Sequence, residues 1–269
     1  MSILTKILTQ KSAEVEELDA AVLRSQAKDS PLPRDFLAML QSRRVGRHPG
    51  LIAELKRASP SKGLLAPHLD LLDAADIYAA NGAAAISVLT DRMFFQGSLE
   101  TLRKLRFERD IELPLLRKDF IIDDTQLYEA RIYGADAALL IVAALIDDSL
   151  LFDLHALALE LGLTPLVEVH NRAEVERVLG IPGLKMVGIN NRDLDTFHVT
   201  LETTETLRPL IPAEIAVVAE SGIFHAADVQ RLEQCGIDAV LVGEALVTAP
   251  DIAGRVRELS GIVTEGVTL

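Results

Sequence analysis

A closed (β/α)8 barrel, the TIM-barrel fold, preceded by an N-terminal helical extension is the architecture this sequence predicts. Three observations predict it. First, eight short apolar runs fall at 51–55, 84–89, 113–116, 137–142, 165–169, 186–189, 215–219 and 239–242. They are apolar throughout rather than alternating, which marks strands covered on both faces and hence a parallel sheet. Second, stretches of helical spacing stand between the runs, at 70–80, 125–133, 149–161, 172–179 and 226–234. Glycines stop them where a helix end is due: Gly82, Gly134, Gly162, Gly180 and Gly236. Third, the first run leads through Glu54-Leu55-Lys56 with no G-x-G-x-x-G, the fingerprint that an open doubly wound sheet would carry there. Eight βα units in roughly 220 residues fit a closed barrel.

Residues 1–48 read differently. Val15, Leu18, Val22 and Leu23 give 11–23 the spacing of one helix, Pro31 and Pro33 end it, and 34–43 reads as a second short helix. The expected organisation is therefore an extension at 1–48 and a barrel at 49–269, forming one structural domain. With 49% hydrophobic residues in a chain of 269, there is ample apolar material for such a core, and disorder is excluded.

Charge narrows the partners. Forty acidic residues against 27 basic ones leave a net charge of −13, which argues against general binding to nucleic acid or to an anionic membrane. A small anion held in a local basic pocket remains compatible. Cys235, the one cysteine, excludes an intramolecular disulfide and a cysteine-rich metal site, and is read as a small buried residue at a helix end. The N-terminus lacks signal-peptide features, and the longest uncharged apolar run, 137–146, is far short of the ~18–20 residues that span a bilayer. A cytoplasmic protein, monomeric or weakly homo-oligomeric, is the expectation.

Barrels of this kind work at the C-terminal ends of their strands, and six of the eight runs end there in charged or amide residues. These are Glu54 with Lys56, Lys118, Glu168, Asn190, Glu220-Ser221-Gly222 and Gly243-Glu244. The opposite ends are read as showing nothing comparable. Glu54 and Lys56, two apart on a strand, share one face. A carboxylate and an ammonium facing the barrel axis must pair or meet a ligand. With Lys118, Glu168 and Asn190 at matching positions, the pattern points to acid–base chemistry rather than a structural plug. Neighbouring Lys56 and partial burial are expected to depress the pKa of Lys118. Gly222 and Gly243, on loops after the last two strands, suit a phosphate approached by backbone N–H groups, and Ser59 adds a hydroxyl. None of the six histidines has metal-ligand spacing. Only His170 lies near a strand end, and none is assigned a catalytic role.

The longer motifs are specific. LIAELKRASPSKG at 51–63, SVLT at 87–90 with FFQGS at 94–98, and LRKDFI at 116–121 are joined by LVEVH at 166–170, GINNRDL at 188–194 and AESGI at 219–223. Over essentially the whole chain this set resembles the indole-3-glycerol-phosphate synthase family, whose members place a helical extension over the barrel mouth. The resemblance implies a lyase of tryptophan biosynthesis. It would close 1-(2-carboxyphenylamino)-1-deoxyribulose 5-phosphate to indole-3-glycerol phosphate, releasing carbon dioxide and water without metal or cofactor. It implies Lys118 as general acid, Glu168 in acid–base work on dehydration, and Lys56 on the anthranilate carboxylate. Glu54 and Asn190 would orient or stabilise intermediates, with Ser221 beside the reacting sugar. Ser59, Gly222 and Gly243 match phosphate contacts, while Phe95 and Leu139 would line the ring pocket. Arg192 and Glu220 complete the expected binding set. Glu244 stands where some relatives carry serine, which leaves its backbone N–H as the phosphate contact. Which lysine is the acid in each step stays open. Two rivals remain: a phosphoribosylanthranilate isomerase-like barrel, which would use a cysteine and an aspartate, and a non-catalytic phosphosugar-binding barrel, which would lack the Glu54, Lys56, Lys118 and Glu168 set.

Overall fold

The computed structural model describes residues 2–44, 46–60 and 62–262. Ser61 of the first motif and residues 263–269 of the barrel span lie outside them. Eight parallel strands close on one another: β1 (Gly50–Leu55), β2 (Ala85–Leu89), β3 (Leu115–Lys118), β4 (Ala137–Ile141), β5 (Thr164–Val169), β6 (Met186–Asn190), β7 (Ala216–Glu220) and β8 (Ala239–Val242). β1 pairs with both β2 and β8, which closes the barrel. The period of two divides the apolar residues between two cores. Ile52, Leu116, Leu139, Leu166, Met186, Val218 and Leu241 fill the interior. Their neighbours, such as Leu51, Leu115, Leu140, Val167 and Val240, pack outward beneath the helices.

Three helices form the extension: α1 (Ile3–Glu16), α2 (Ala20–Asp29) and α3 (Phe36–Ser42). The barrel helices follow: α4 (Leu71–Ala80), α5 (Leu99–Phe107), α6 (Asp124–Ile132), α7 (Asp148–Glu160), α8 (Arg172–Val178), α9 (Glu202–Leu207), α10 (Ala226–Gln234), α11 (Glu244–Val247) and α12 (Ile252–Ser260). Asp70, Ser98, Asp123, Asp147, Asn171 and Asp251 each accept a backbone N–H at a helix start, so local chemistry sets where these helices begin.

The structure departs from the sequence expectations at several points. The single helix expected over 11–23 is two, because Asp19 caps α2 through the N–H groups of Ala21 and Val22. The third strand begins two residues later than its apolar run, after Pro114, which has no N–H to give to a ladder. Its polar half belongs to the strand: Arg117 is buried on the outer side, donating to the Gln126 carbonyl at 2.5 Å, while Lys118 faces the axis. Cys235 is half-buried rather than buried, at the open end of α10.

The extension does not lie wholly over the mouth. α1 does, while Phe36 and Leu40 of α3 are fully buried in the interior core at the opposite end. Small residues explain this placement, since Ala84, Ala85, Ala137 and Ala239 leave space that only an inserted ring and isobutyl group fill to native density. α2 runs along α6, with Arg131 donating to the carbonyls of Ser30 and Pro31. The N-terminal strand ends are also not featureless. Two Gly-x-Asp-Ala segments, 134–137 and 236–239, each supply a carboxylate there. Asp136 accepts from the N–H groups of Arg34 (2.6 Å) and Leu115 (2.8 Å) and pairs with Arg106. Asp238 accepts from Val217 N–H at 2.9 Å and pairs with Arg44 at 2.7 Å. These acids satisfy strand-end backbone donors and tie the extension down.

Candidate active site

The inward parity of each strand carries through to its last residue. Leu166, Glu168 and His170 continue one face of β5, as do Ile52, Glu54 and Lys56 on β1. Register then sets the neighbours: Glu168 lies beside Gly188 of β6, and Asn190 beside Glu220 of β7. Glu54, Lys56, Ser59, Phe95, Lys118, Leu139, Glu168, Asn190, Arg192, Glu220, Ser221, Gly222, Gly243 and Glu244 all line one cavity at the C-terminal ends of the strands. Ile3, Leu4 and Ile7 of α1 roof it, and Phe120, Leu194, Phe197 and Phe224 add walls that strand-end reasoning missed.

Lys118 is the centre of the polar floor. Its Nζ lies 3.3 Å from Glu168 Oε2 and 3.2 Å from Glu220 Oε2. The expected depression of Lys118 is reversed. Burial does push it down, but Glu220, Glu168 and Glu54 together outweigh burial and hold it above the ordinary lysine range. Glu168 responds to the same pairing: burial pushes it up, and Lys118, His170 and Asn190 carry it well below the usual carboxylate range. Glu220 goes the other way. Burial and the charge of Glu168 push it up to about 8, against the pull of Lys118. Neither of its carboxyl oxygens has an aligned hydrogen bond. Two buried carboxylates around one ammonium thus divide into an ionised and a proton-retaining member.

The rim follows the same local logic. Lys56 Nζ stands 3.6 Å from Glu54 Oε1 and 5.9 Å over the Phe95 ring, whose centroid is 6.2 Å from that of Phe120. This places a cation beside an aromatic slot. After β7, Ser221 (φ 65°) and Gly222 (φ 78°) are both left-handed, a reversal that turns the backbone toward the cavity. At Gly243 a Cβ would meet the Glu54 carboxylate, and at Gly188 Oε1 of Glu220, so a side chain at either position would force that carboxylate to move. The Glu244 carboxylate is engaged by the Lys62 ammonium from the short hairpin of Ala58–Ser59 and Gly63–Leu64.

Two further charged groups had no sequence signal beyond their helix or loop position. Lys11 of α1 is almost wholly buried, with Nζ 3.0 Å from Asp91, 3.0 Å from Asp119 and 2.7 Å from Glu14. Burial pushes it down, and these carboxylates carry it above the lysine range nonetheless. It latches the roof helix to the residue following Lys118. His170, given no role from the sequence, lies 3.2 Å from Glu168. Among the described residues no group of three or more His, Cys, Asp or Glu side chains is arranged to hold a metal ion, and no helix is long and apolar enough to cross a membrane.

Fold and mouth together define a (β/α)8-barrel protein with a buried lysine–carboxylate cluster in a cavity at its C-terminal strand ends. Among solved structures it resembles 3-hexulose-6-phosphate synthase from Salmonella typhimurium, with a TM-score of 0.61, 16% identity, and coverage of 79% of this chain and 97% of that one. A Streptococcus mutans structure described as KGPDC gives 0.60, 15%, 80% and 96%. At such identities the likeness concerns the fold alone. The family model for indole-3-glycerol phosphate synthase matches residues 4–259. A relative of that name from Roseiflexus castenholzii is 54% identical, covering 97% of this chain and 98% of its own length, and one from Dehalococcoides mccartyi is 51% identical over 96% and 99%. The chain belongs to the indole-3-glycerol phosphate synthase family.

Proposed function

We propose that this chain performs the reaction of its family, the decarboxylating and dehydrating closure of 1-(2-carboxyphenylamino)-1-deoxyribulose 5-phosphate to indole-3-glycerol phosphate in tryptophan biosynthesis. The observation that carries the reading is the floor of the cavity, where one ammonium, Lys118, lies within 3.3 Å of two carboxyl groups of opposite protonation tendency. Ring closure drives an aromatic carbon onto a ketone and builds an alkoxide, which needs a proton at that oxygen. Lys118 stays protonated beside its carboxylates and can still deliver, because an alkoxide is far more basic than an amine. Loss of carbon dioxide restores the aromatic ring. Glu168, kept ionised, then takes up a proton during dehydration, and Glu220 is the neighbouring group able to give one.

Binding is assigned to the rim. Lys56 meets the substrate carboxylate, with Phe95, Phe120 and Leu139 around the ring, and Glu54 and Asn190 hold the intermediates in place. Ser59 and the backbone at Gly222, Gly243 and Glu244 receive the phosphate, with Ser221 and Arg192 along the sugar. The 1–48 segment is assigned as part of the same domain, since it supplies both the roof and the plug. No metal or cofactor enters this scheme. The test is direct: chelator-treated protein is given the carboxyphenylamino substrate and indole fluorescence is followed. Product formation is the expected result, and folded protein without turnover refutes the assignment.

A further inference from the structure

His170 is a buried titratable group that the scheme above leaves unused. It stands one inward step beyond Glu168, with a side chain only 10% exposed. Its Nδ1 lies 3.1 Å from Glu174 Oε2, and its Nε2 lies 3.2 Å from Glu168 Oε1, a charge contact without an aligned hydrogen bond. Glu174 is itself fixed. It accepts from the His170 N–H at 2.7 Å and from Asn171 Nδ2 at 2.8 Å, while its own N–H donates to Asn171 Oδ1 at 3.0 Å, at the start of α8. An uninterrupted line of charge therefore runs Lys118–Glu168–His170–Glu174. A neutral imidazole has one N–H, whereas two carboxylates on its two ring nitrogens call for both to carry hydrogen.

We propose that His170 is a positioning residue for this reaction: clamped as an imidazolium between Glu168 and Glu174, it keeps Glu168 ionised and turned to Lys118, and so leaves Glu220 as the protonated acid of the mouth. The proposal rests on the function assigned above. Burial pushes the imidazole down, and the two carboxylates outweigh it, raising His170 to about 10. The charged groups facing it are Glu168 on its own strand, Glu174 on α8 and Asp193 in the loop after β6, with Lys118 of β3 behind Glu168. Three carboxylates against one distant ammonium leave the ring in a negative surrounding.

An NMR pH titration of the His170 ring in the full chain, without substrate, is the first measurement. Double protonation persisting through pH 8 is expected, and a neutral ring at pH 7 overturns the proposal. Because it needs no turnover, this reading separates the charge state from the assigned reaction. The second measurement is the pH profile of kcat for His170→Gln. Losing a cation next to Glu168 raises that carboxyl, so the acid limb moves up by roughly 1 to 3 pH units. A uniform loss of kcat with an unmoved limb overturns the proposal. If His170→Gln does not fold, Glu174→Gln serves: the His170 titration then falls and the acid limb moves up by a smaller amount, whereas parental values for both overturn it.

Discussion

Replacing Lys118 by methionine tests the centre of the site. The side chain sits 3.3 Å from Glu168 and 3.2 Å from Glu220, both carboxylates being buried and the lysine itself only slightly exposed. Removing one partner of a buried ion pair costs about 3–5 kcal/mol. Here the cost depends on pH, because Glu220, at about 8 even beside Lys118, can stay neutral below that value. A group whose folded pKa is raised above its unfolded one contributes stability fully present below the unfolded value and lost as pH rises through the folded one. In the variant Glu220 rises further, so its melting temperature should fall more steeply than the parent's between pH 6 and 9. Turnover should drop by about 10²–10⁴, the usual worth of a general acid, or ~2.7–5.4 kcal/mol of barrier at ~1.36 kcal/mol per decade. KM should move little, since carboxylate and phosphate are assigned to Lys56 and to the glycine-bearing loops. Single-turnover indole fluorescence, with melts at three pH values, measures both effects. A folded variant with kcat within tenfold of the parent would remove Lys118 from the acid role.

Other substitutions separate roof, floor and plug. Lys11→Met leaves the buried Asp91 without its cation, while Asp119 keeps Arg117 at 3.3 Å, so it should cost about 3–5 kcal/mol in denaturant unfolding and raise KM more than it lowers kcat; an unchanged KM would show that the latch does not shape the cavity. Gly188→Ala drives a methyl group into Glu220, and overpacking of this kind costs about 1–3 kcal/mol; its kcat should fall several-fold, and parental kcat would mean that Glu220 can move freely. Phe36→Ala, at the far end of the barrel, should cost about 3–5 kcal/mol while kcat near 25 °C stays close to parental; a large kcat loss in folded protein would tie the plug to the mouth.

Much of the fold was legible because it depends on neighbours in sequence. Apolar runs mark the eight strands, and terminal polar residues such as Lys118 and Asn190 prove to be the last residues of their strands. The same parity that puts Ile52 and Leu166 inside puts Glu54 and Glu168 at the mouth, so fourteen residues named from the sequence share one cavity. The helix break at Asp19 was hidden because a mid-pattern acid looks like any other acid until its carboxylate is seen to cap Ala21 and Val22. Phe36 and Leu40 read as an ordinary helical face, and nothing local tells which apolar surface they meet.

By itself, then, the sequence determined that there are eight strands and roughly where each lies, which face of each points inward, and what chemistry stands at the ends. These follow from periods of two and 3.6 and from motif identity. Tertiary structure decided the charges. Lys118 was expected to be depressed and is held up, Glu168 and Glu220 are driven apart, and Lys11 acquires Asp91 and Asp119 from the loops after β2 and β3. The reason is physical. A protonation state depends on desolvation and on distances of a few ångströms between side chains from β1, β3, β5 and β7, and no spacing along the chain encodes those until the barrel closes.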